Sequence, residues 1–239
     1  FLSLATMSTV YKELSLQEIS ERAGITKSST YRILFTLEAL GYIGKNAETG
    51  KYQLGLKVLE SAQKVRAGLS ILQAARPLME SLQWKFGETV NLAVLQNNQI
   101  VYLEIIEGSH AFRMTGDVGA RVPAYASAIG KAISAFLPEA ALKALLDGEP
   151  LRRLTPNTIT SRAELHKSLA RVRRQGYALD NEEVDLGASC IAVPIFTDGS
   201  RATHAVSLSG PTARIKTQQK AMITELLKFS KEASNQLQL

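Results

Sequence analysis

Two groups of side chains in this 239-residue chain stand at spacings that could do chemistry. The first is Thr26-Lys27-Ser28-Ser29-Thr30-Tyr31-Arg32, where hydroxyls, a lysine and an arginine crowd the start of a helical repeat. Donors of this kind at a helix N-terminus suit base edges and phosphates of a DNA groove. The second group is Cys190, His204 and Asp180, which could be drawn as nucleophile, base and orienter. No nucleophile elbow or other local signature surrounds them, and Cys190 opens an apolar strand, where a buried structural thiol is the common case. No catalytic residue is therefore assigned.

Other chemistries fare no better. Gly130-Lys131 is followed by Ala132 and lacks an earlier glycine at the spacing of a phosphate-binding loop. His110, His166 and His204 are scattered without metal-ligand spacing, and Asp180, Glu182, Glu183 and Asp185 read as a solvated turn. Neither a metal nor a cofactor is expected.

The elements that would position the first group are legible. Ser15 stands three residues before Glu18, a capping box, and Leu16, Ile19 and Ala23 follow on one helical face. Gly24 can take positive φ at no steric cost, so it ends this helix and turns the chain. The second helix, Thr26 to Leu40, carries Ile33, Leu34, Leu37 and Leu40 as its expected buried stripe. Tyr42 to Lys45 and Lys51 to Leu54 then form two short strands around a polar loop that ends at Gly50, a β-hairpin wing. Two helices joined by a glycine turn and followed by such a hairpin make a winged helix-turn-helix, whose second helix enters the major groove. Thr26, Lys27, Ser28, Ser29, Tyr31 and Arg32 are the candidate readers, with Lys45 and Lys51 flanking the wing loop as phosphate contacts.

Composition bounds the class. Hydrophobic residues make up 45% and charged residues 21%, which excludes disordered and fibrous chains. The net charge of +6 permits a polyanionic partner without proving one, and the first 66 residues carry nine Lys/Arg against six Asp/Glu. One cysteine suits a reducing cytoplasm, and no apolar run approaches the roughly 18 residues of a membrane span. Phe1-Leu2-Ser3-Leu4-Ala5 reads as the inside of a helix, so a longer native N-terminus is expected.

Beyond the wing, Leu56, Leu59, Ala62 and Val65 give a linker helix through Gly55 to Gly68, whose stripe needs a second surface such as a partner subunit. Ile71 to Phe86 is a further helix with Leu72, Ala75, Met79 and Leu82 inward, and Pro77 predicts a kink or break near Arg76. From Thr89 the period becomes strand-like: Thr89 to Leu95 and Ile100 to Ile106 form a hairpin across Gln96 to Gln99. Ala111 to Thr115 is expected as a third strand. Helices follow over Ala126 to Phe136, Pro138 to Leu146 and Thr160 to Gln175. Strands return at Tyr177 to Asp180, Cys190 to Phe196 and Ala202 to Ser209, and a helix from Lys216 to Leu237 closes the chain. This order argues for an α+β domain on an antiparallel sheet. The expected boundaries are 1–54 for the winged helix-turn-helix, 55–69 for the linker helix and 70–239 for the second domain.

Four blocks, in order, resemble the IclR-type bacterial transcriptional regulators. Gln17 to Leu54 matches the winged-helix pattern, and Ala126-Ser127-Ala128-Ile129-Gly130-Lys131-Ala132 the start of an effector-domain helix. Gly176 to Glu183 with Cys190-Ile191-Ala192-Val193-Pro194, and Ser207-Leu208-Ser209-Gly210-Pro211, match later signatures. The resemblance implies a GAF-like effector-binding domain, dimerisation through the DNA-binding half and linker helix, and assembly as a homodimer or tetramer on a near-palindromic double-stranded operator. It implies a transcriptional regulator, expected to be a repressor and cytoplasmic, with no membrane partner. The competing reading is a ligand-sensing module or enzyme whose winged helix serves only protein contacts.

The resemblance also places effector contacts on Met114, Ala128, Ile129, Asp180, Cys190, Ser207 and Ser209. Their chemistry can be weighed residue by residue. Ser207 and Ser209, two apart on one strand, face the same way and put two hydroxyls side by side. Ala128 and Ile129 open a helix with Ser127 as its expected cap, and the first amides there suit an anion. Asp180 opposes a second anion but can accept from a ligand hydroxyl, while Met114 and Ile129 supply an apolar wall. A small carboxylate is therefore the expected effector, as a hydroxy- or keto-acid, a sugar acid or an aromatic acid.

Overall fold

The computed structural model describes residues 13–148, 150–197 and 201–237. The helical reading of Phe1 to Ala5 lies outside them. The chain divides into two compact units, Phe1–Leu69 and Ser70–Leu239.

In the first unit, α1 (Leu16–Ala23) opens on the expected capping box: the Glu18 amide donates to Ser15 Oγ (3.2 Å), and the Ser15 amide donates to Glu18 Oε2 (2.8 Å). It ends at Gly24, whose φ of 65° is left-handed and favours glycine. Thr26 then caps α2 (Lys27–Ala39) by accepting the Ser29 amide at 3.3 Å. The wing strands β1 (Ile43–Lys45) and β2 (Tyr52–Leu54) pair antiparallel, and Leu14 bridges to Tyr52. The core here is small: Leu14, Ile19, Leu34, Ile43 and Tyr52, with Leu16 and Leu37 packed against it.

That small core corrects the expected stripe of α2. Thr30 and Leu34 are buried and Leu37 is half-buried, whereas Ile33 and Leu40 are exposed. Residues 30, 34 and 37 form one ridge, and 33 and 40 fall on the next, which the single short α1 and the wing do not reach. Helix α3 (Leu56–Ala67) buries none of its residues; Leu56 is 82% exposed and Leu59 59%. Its apolar side thus does not pack on the wing.

The second unit is a six-stranded antiparallel sheet. Helix α4 (Ser70–Phe86) precedes β3 (Thr89–Gln96), β4 (Gln99–Ile106) and β5 (Arg121–Pro123). Three helices follow: α5 (Ala128–Ser134), α6 (Glu139–Gly148) and α7 (Arg162–Gln175). Then come β6 (Ala178–Asn181), β7 (Ala188–Phe196), β8 (Ala202–Pro211) and α8 (Thr212–Leu237), and the sheet order is β5-β4-β3-β8-β7-β6. Helix α4 runs through Pro77 as one element, so the expected break is absent. Its buried residues are Ile71, Leu72, Ala75, Met79, Leu82 and Phe86, a continuous stripe of the kind that holds a helix together from outside.

The expected strand over Ala111 to Thr115 does not form, and β5 lies at Arg121–Pro123 instead. Carbonyls that a ladder would use are already taken: Thr89 Oγ1 donates to the Met114 carbonyl (2.6 Å), and Arg214 Nη2 to that of Phe112 (2.8 Å). The segment between β4 and β5 is thereby tied over one end of the sheet. Strand alternation sorts the two faces. Val90, Leu92, Val206, Leu208, Ile191 and Val193 occupy the face covered by α4 and α8, and Ala93, Ala192 and Ala205 the face under α5. The alanines let α5 approach closely, as does Gly130, where a Cβ would stand 2.1 Å from the Ala124 carbonyl oxygen.

Candidate functional site

Register builds the polar end of that second face. Thr89 pairs with Ser209, Ser209 with Cys190 and Cys190 with Asp180, so these four form one row across β3, β8, β7 and β6. Asn91, Ser207, Ala192 and Ala178 form the next row, and Ala93 and Ala205 the one beyond. Polar side chains thus give way to alanine within two rows. Where alanine begins, α5 packs down; where the polar rows lie, a cavity of about 270 Å³ remains. All eight residues expected at the effector site line it: Met114, Ser127, Ala128, Ile129, Asp180, Cys190, Ser207 and Ser209. The tied segment closes it from above through Met114, Gly116, Asp117 and Ala120.

The structure adds lining residues that sequence reasoning missed, among them Thr89, Asn91, Tyr102 and Val184. Thr89 and Asn91 could have been found, because they are the polar positions, two apart, of an otherwise apolar strand (TVNLAVL). Asn91 Nδ2 donates to Ser207 Oγ (3.2 Å) and to Ser209 Oγ (2.9 Å). Ser127 caps α5 as expected, accepting the Gly130 amide at 3.0 Å.

The acidic turn around the end of β6 is only partly the solvated one expected: Asp185 is exposed and Glu182 half-buried, but the other two carboxylates are not in solvent. Asp180 and Glu183 are buried, 4% and 6% exposed. Asp180 Oδ1 accepts the Glu183 amide (2.7 Å), and Glu183 Oε1 pairs with the ammonium of Lys131 on α5, itself 2% exposed. Thr155 and Thr158 donate to main-chain carbonyls of the same turn. Glu183 is drawn inward because the buried Lys131 meets its carboxylate there, while the two threonines hold the main chain of the turn. Burial pushes Asp180 up to about 6, against the opposing effects of the Glu183 amide and the Lys131 charge.

This shift has a stability consequence of definite sign. A carboxyl whose pKa is raised on folding binds its proton more tightly in the native state, so ionisation penalises folding. The penalty is absent below the ordinary value of 3.8, grows between 3.8 and about 6, and is constant above. Asp180→Asn should therefore gain up to about 3 kcal/mol relative to the wild type at pH 8 and nothing at pH 3.5. Denaturant unfolding of both proteins across this range checks it; a difference that does not change with pH would contradict the assignment.

The triad drawn from sequence does not assemble. His204 alternates with Ala205 and so lies on the sheet face opposite Cys190, where its Nδ1 sits 2.8 Å from Thr203 Oγ1 and burial lowers its pKa. Cys190 is pushed up to about 12 by burial, with the nearby Asp180 charge adding to the effect, so it holds its proton and is a poor nucleophile. Among the described residues, no three His, Cys, Asp or Glu side chains are grouped to hold a metal, and no helix is long and apolar enough to cross a membrane.

In the first unit, Ser28, Ser29, Tyr31 and Arg32 are exposed on α2, and Tyr31 stacks on Phe35 (centroids 6.5 Å apart) rather than on α1. Thr26 serves as the cap, and Lys27 Nζ donates to Gln17 Oε1 (3.2 Å). On the wing, Lys45 lies over the Tyr52 ring at 5.5 Å and Lys51 is half-buried near Glu18. The arrangement leaves one helix face of hydroxyl, aromatic and guanidinium groups exposed to solvent.

Comparison with known proteins agrees with both halves. Residues 4–47 match the IclR helix-turn-helix domain, and residues 63–237 match the C-terminal part of the bacterial transcriptional regulator IclR. The HTH-type transcriptional regulator XynR of Escherichia coli is 41% identical over 215 residues, 90% of this chain and 85% of that protein. Escherichia coli KdgR, also an HTH-type transcriptional regulator, is 36% identical over 85% of this chain and 77% of its own length. Among solved structures, the Thermotoga maritima IclR superposes with a TM-score of 0.78 at 30% identity, over 99% of this chain and 96% of that one. An IclR homologue from Microbacterium hydrocarbonoxydans complexed with 4-hydroxybenzoate superposes with a TM-score of 0.86 at 26% identity, over 98% of this chain and 95% of that one. A winged helix with an exposed face on its second helix, an antiparallel-sheet domain with a cavity against its sheet, and family matches over both halves make this chain a member of the IclR family of DNA-binding transcriptional regulators.

Proposed function

We propose that this regulator is a repressor whose hold on a two-fold operator is set by a small organic acid bound in the cavity of the second unit. The observation that carries the reading is the convergence of the cavity lining: two strand-borne serines, the capped start of α5 and one buried carboxyl meet around a single enclosed space. Its polarity runs across the sheet. Hydroxyls stand on β8, the acceptor Asp180 stands on β6, and the intervening β7 separates them by about 10 Å of strand spacing. An acid whose carboxylate takes the serines and whose hydroxyl, several bonds away, reaches Asp180 matches that axis. Sugar acids and hydroxylated aromatic acids fit it, and Met114 and Ile129 give an aromatic ring an apolar wall. The bound 4-hydroxybenzoate of the Microbacterium relative has this chemistry. Relatives named as repressors, including the transcriptional repressor IclR of Escherichia coli, support the direction of control.

On the DNA side, Ser28, Ser29, Tyr31 and Arg32 read the groove, with Thr26 and Lys27 at its mouth and Lys45 and Lys51 on phosphates. Arg32→Ala should weaken specific binding by roughly 1–3 kcal/mol, while Lys51→Ala should weaken binding to all sequences and flatten its salt dependence. Fluorescence anisotropy with the DNA upstream of the protein's own operon, at several salt concentrations, checks both; two unaffected variants would remove this face from DNA recognition. A dimer formed through the exposed side of α3 presents two such faces to the operator. Thermal shift with a panel of sugar acids and hydroxybenzoates tests the effector half, since a ligand bound only by the native state raises the melting temperature. If no acid of the panel does so, the effector assignment fails.

A further inference from the structure

We infer that Asn91 is a positioning residue that fixes which ligands the cavity accepts: it holds Ser207 and Ser209 as hydrogen-bond donors, so that their side of the cavity selects a carboxylate over its neutral isostere. The inference rests on the proposed anionic effector and adds the device that enforces it.

A primary amide nitrogen carries two protons, and Asn91 gives one to each serine, at 3.2 Å to Ser207 Oγ and 2.9 Å to Ser209 Oγ. Each hydroxyl owns a single proton, and each now has a lone pair occupied by Asn91. Each keeps its proton and one further lone pair, and the proton is turned away from the Asn91 N–H toward the rest of the cavity. The two hydroxyls stand 3.5 Å apart, a weak contact, and Ser209 also meets the thiol of Cys190, a poor competitor for its proton. All three side chains are buried, 6% exposed for Asn91, 2% for Ser207 and 6% for Ser209, so water does not compete freely for these protons.

Register sets this triangle. Asn91 sits on β3, between β4 and β8, directly opposite Ser207 and two pairs along from the Thr89–Ser209 pair, on the same face of the sheet. Two buried O–H donors match the two charged oxygens of a carboxylate, whereas a carboxamide offers the pair a single neutral oxygen. The discrimination is thus made by two charge-assisted bonds to the acid against one neutral bond to the amide. Asp180 at the far end of the row works in the same sense, since it rejects an anion there and directs it to the serines.

Asn91→Asp tests the role with almost no change of shape. The carboxylate introduced by this substitution would accept both hydroxyl protons, turning the oxygen lone pairs of the serines toward the cavity and adding a charge beside it. Thermal shift and calorimetric titration at pH 8 with two matched pairs, acetate against acetamide and 4-hydroxybenzoate against 4-hydroxybenzamide, read the outcome. The wild type should prefer the acid of each pair. Asn91→Asp should bind the acid about 10- to 100-fold more weakly, the loss expected for hydrogen bonds to a charged group, and hold the amide at least as well as the wild type does. A general loosening of the fold would weaken acid and amide alike. If Asn91→Asp does not fold, Asn91→Leu serves: with the hydroxyls free to turn, the acid preference should shrink toward unity. An undiminished acid preference in the folded variant would overturn the role of Asn91 while leaving the effector reading in place. A wild type that answers neither acid would overturn that reading and this inference with it.

Discussion

Replacing Lys131 by alanine should cost the second unit about 3–5 kcal/mol, because it would leave a buried carboxylate without its counter-charge. Lys131 is buried among the alanines and leucines around α5, and its partner Glu183 has one oxygen, Oε2, with no hydrogen-bond partner among the described residues. The desolvation of two charges is offset here mainly by their contact with each other. Removing one charge removes the compensation and keeps the penalty. The test includes its own control: Lys131→Met combined with Glu183→Leu removes both charges and should recover most of the loss, since a buried ion pair is often replaceable by apolar residues of similar volume. Urea unfolding of the two variants decides it, and a loss below about 1 kcal/mol for Lys131→Ala would show that the pair contributes nothing particular. The double variant carries a functional consequence as well. Glu183 belongs to the turn that brings Asp180, Val184 and Asp185 to the cavity, so a protein that folds well without the pair should still bind its ligand more weakly.

The second large effect is expected at α3. Leu56→Glu with Leu59→Glu places two carboxylates on the exposed apolar side of that helix. Neither position is buried within the chain, so the first unit should keep its stability to within about 0.5 kcal/mol, as is usual for surface substitutions. Operator affinity should nevertheless fall at least about 100-fold, because a monomer cannot engage two half-sites together and loses the effective concentration that links them. Light scattering at micromolar concentration and operator titration check the two halves of this expectation. A variant that stays dimeric would move the interface elsewhere.

Where the sequence was legible, a local physical constraint was in control. The Ser15–Glu18 box and Gly24 place α1 and its turn because caps act within one turn of chain, whatever the rest of the fold does. The alternation of Thr89 to Leu95 marks β3 for the same kind of reason. The misjudged features depend on distant partners. Ile33 and Leu40 look like core by spacing, yet which ridge of α2 is buried depends on the size of what faces it. Ala111 to Thr115 has strand-like residues, yet Thr89 and Arg214, distant in sequence, take carbonyls that pairing would need. Asp180 and Glu183 look solvated, like Asp185 beside them, until Lys131 is seen to reach Glu183 from α5. The cavity shows both regimes. The serine pair is legible as two residues on one face of one strand, while Asn91 acquires its meaning only when β3 and β8 are aligned in register.

Acid binding in the cavity and operator binding by the winged helix should be coupled in one protein, and operator titration with and without a saturating acid from the panel tests that coupling most directly. The pair of proteins to compare is the wild type and Ser207→Ala with Ser209→Ala, which removes both donors and leaves the recognition face untouched. The wild type should change its operator affinity on adding the acid, by a factor of about 5 to 150 for a typical coupling between two sites. The double variant should bind the operator as tightly as the acid-free wild type and show no response. A double variant that responds to the acid as fully as the wild type would contradict the account, since the effector would then act from somewhere other than this cavity.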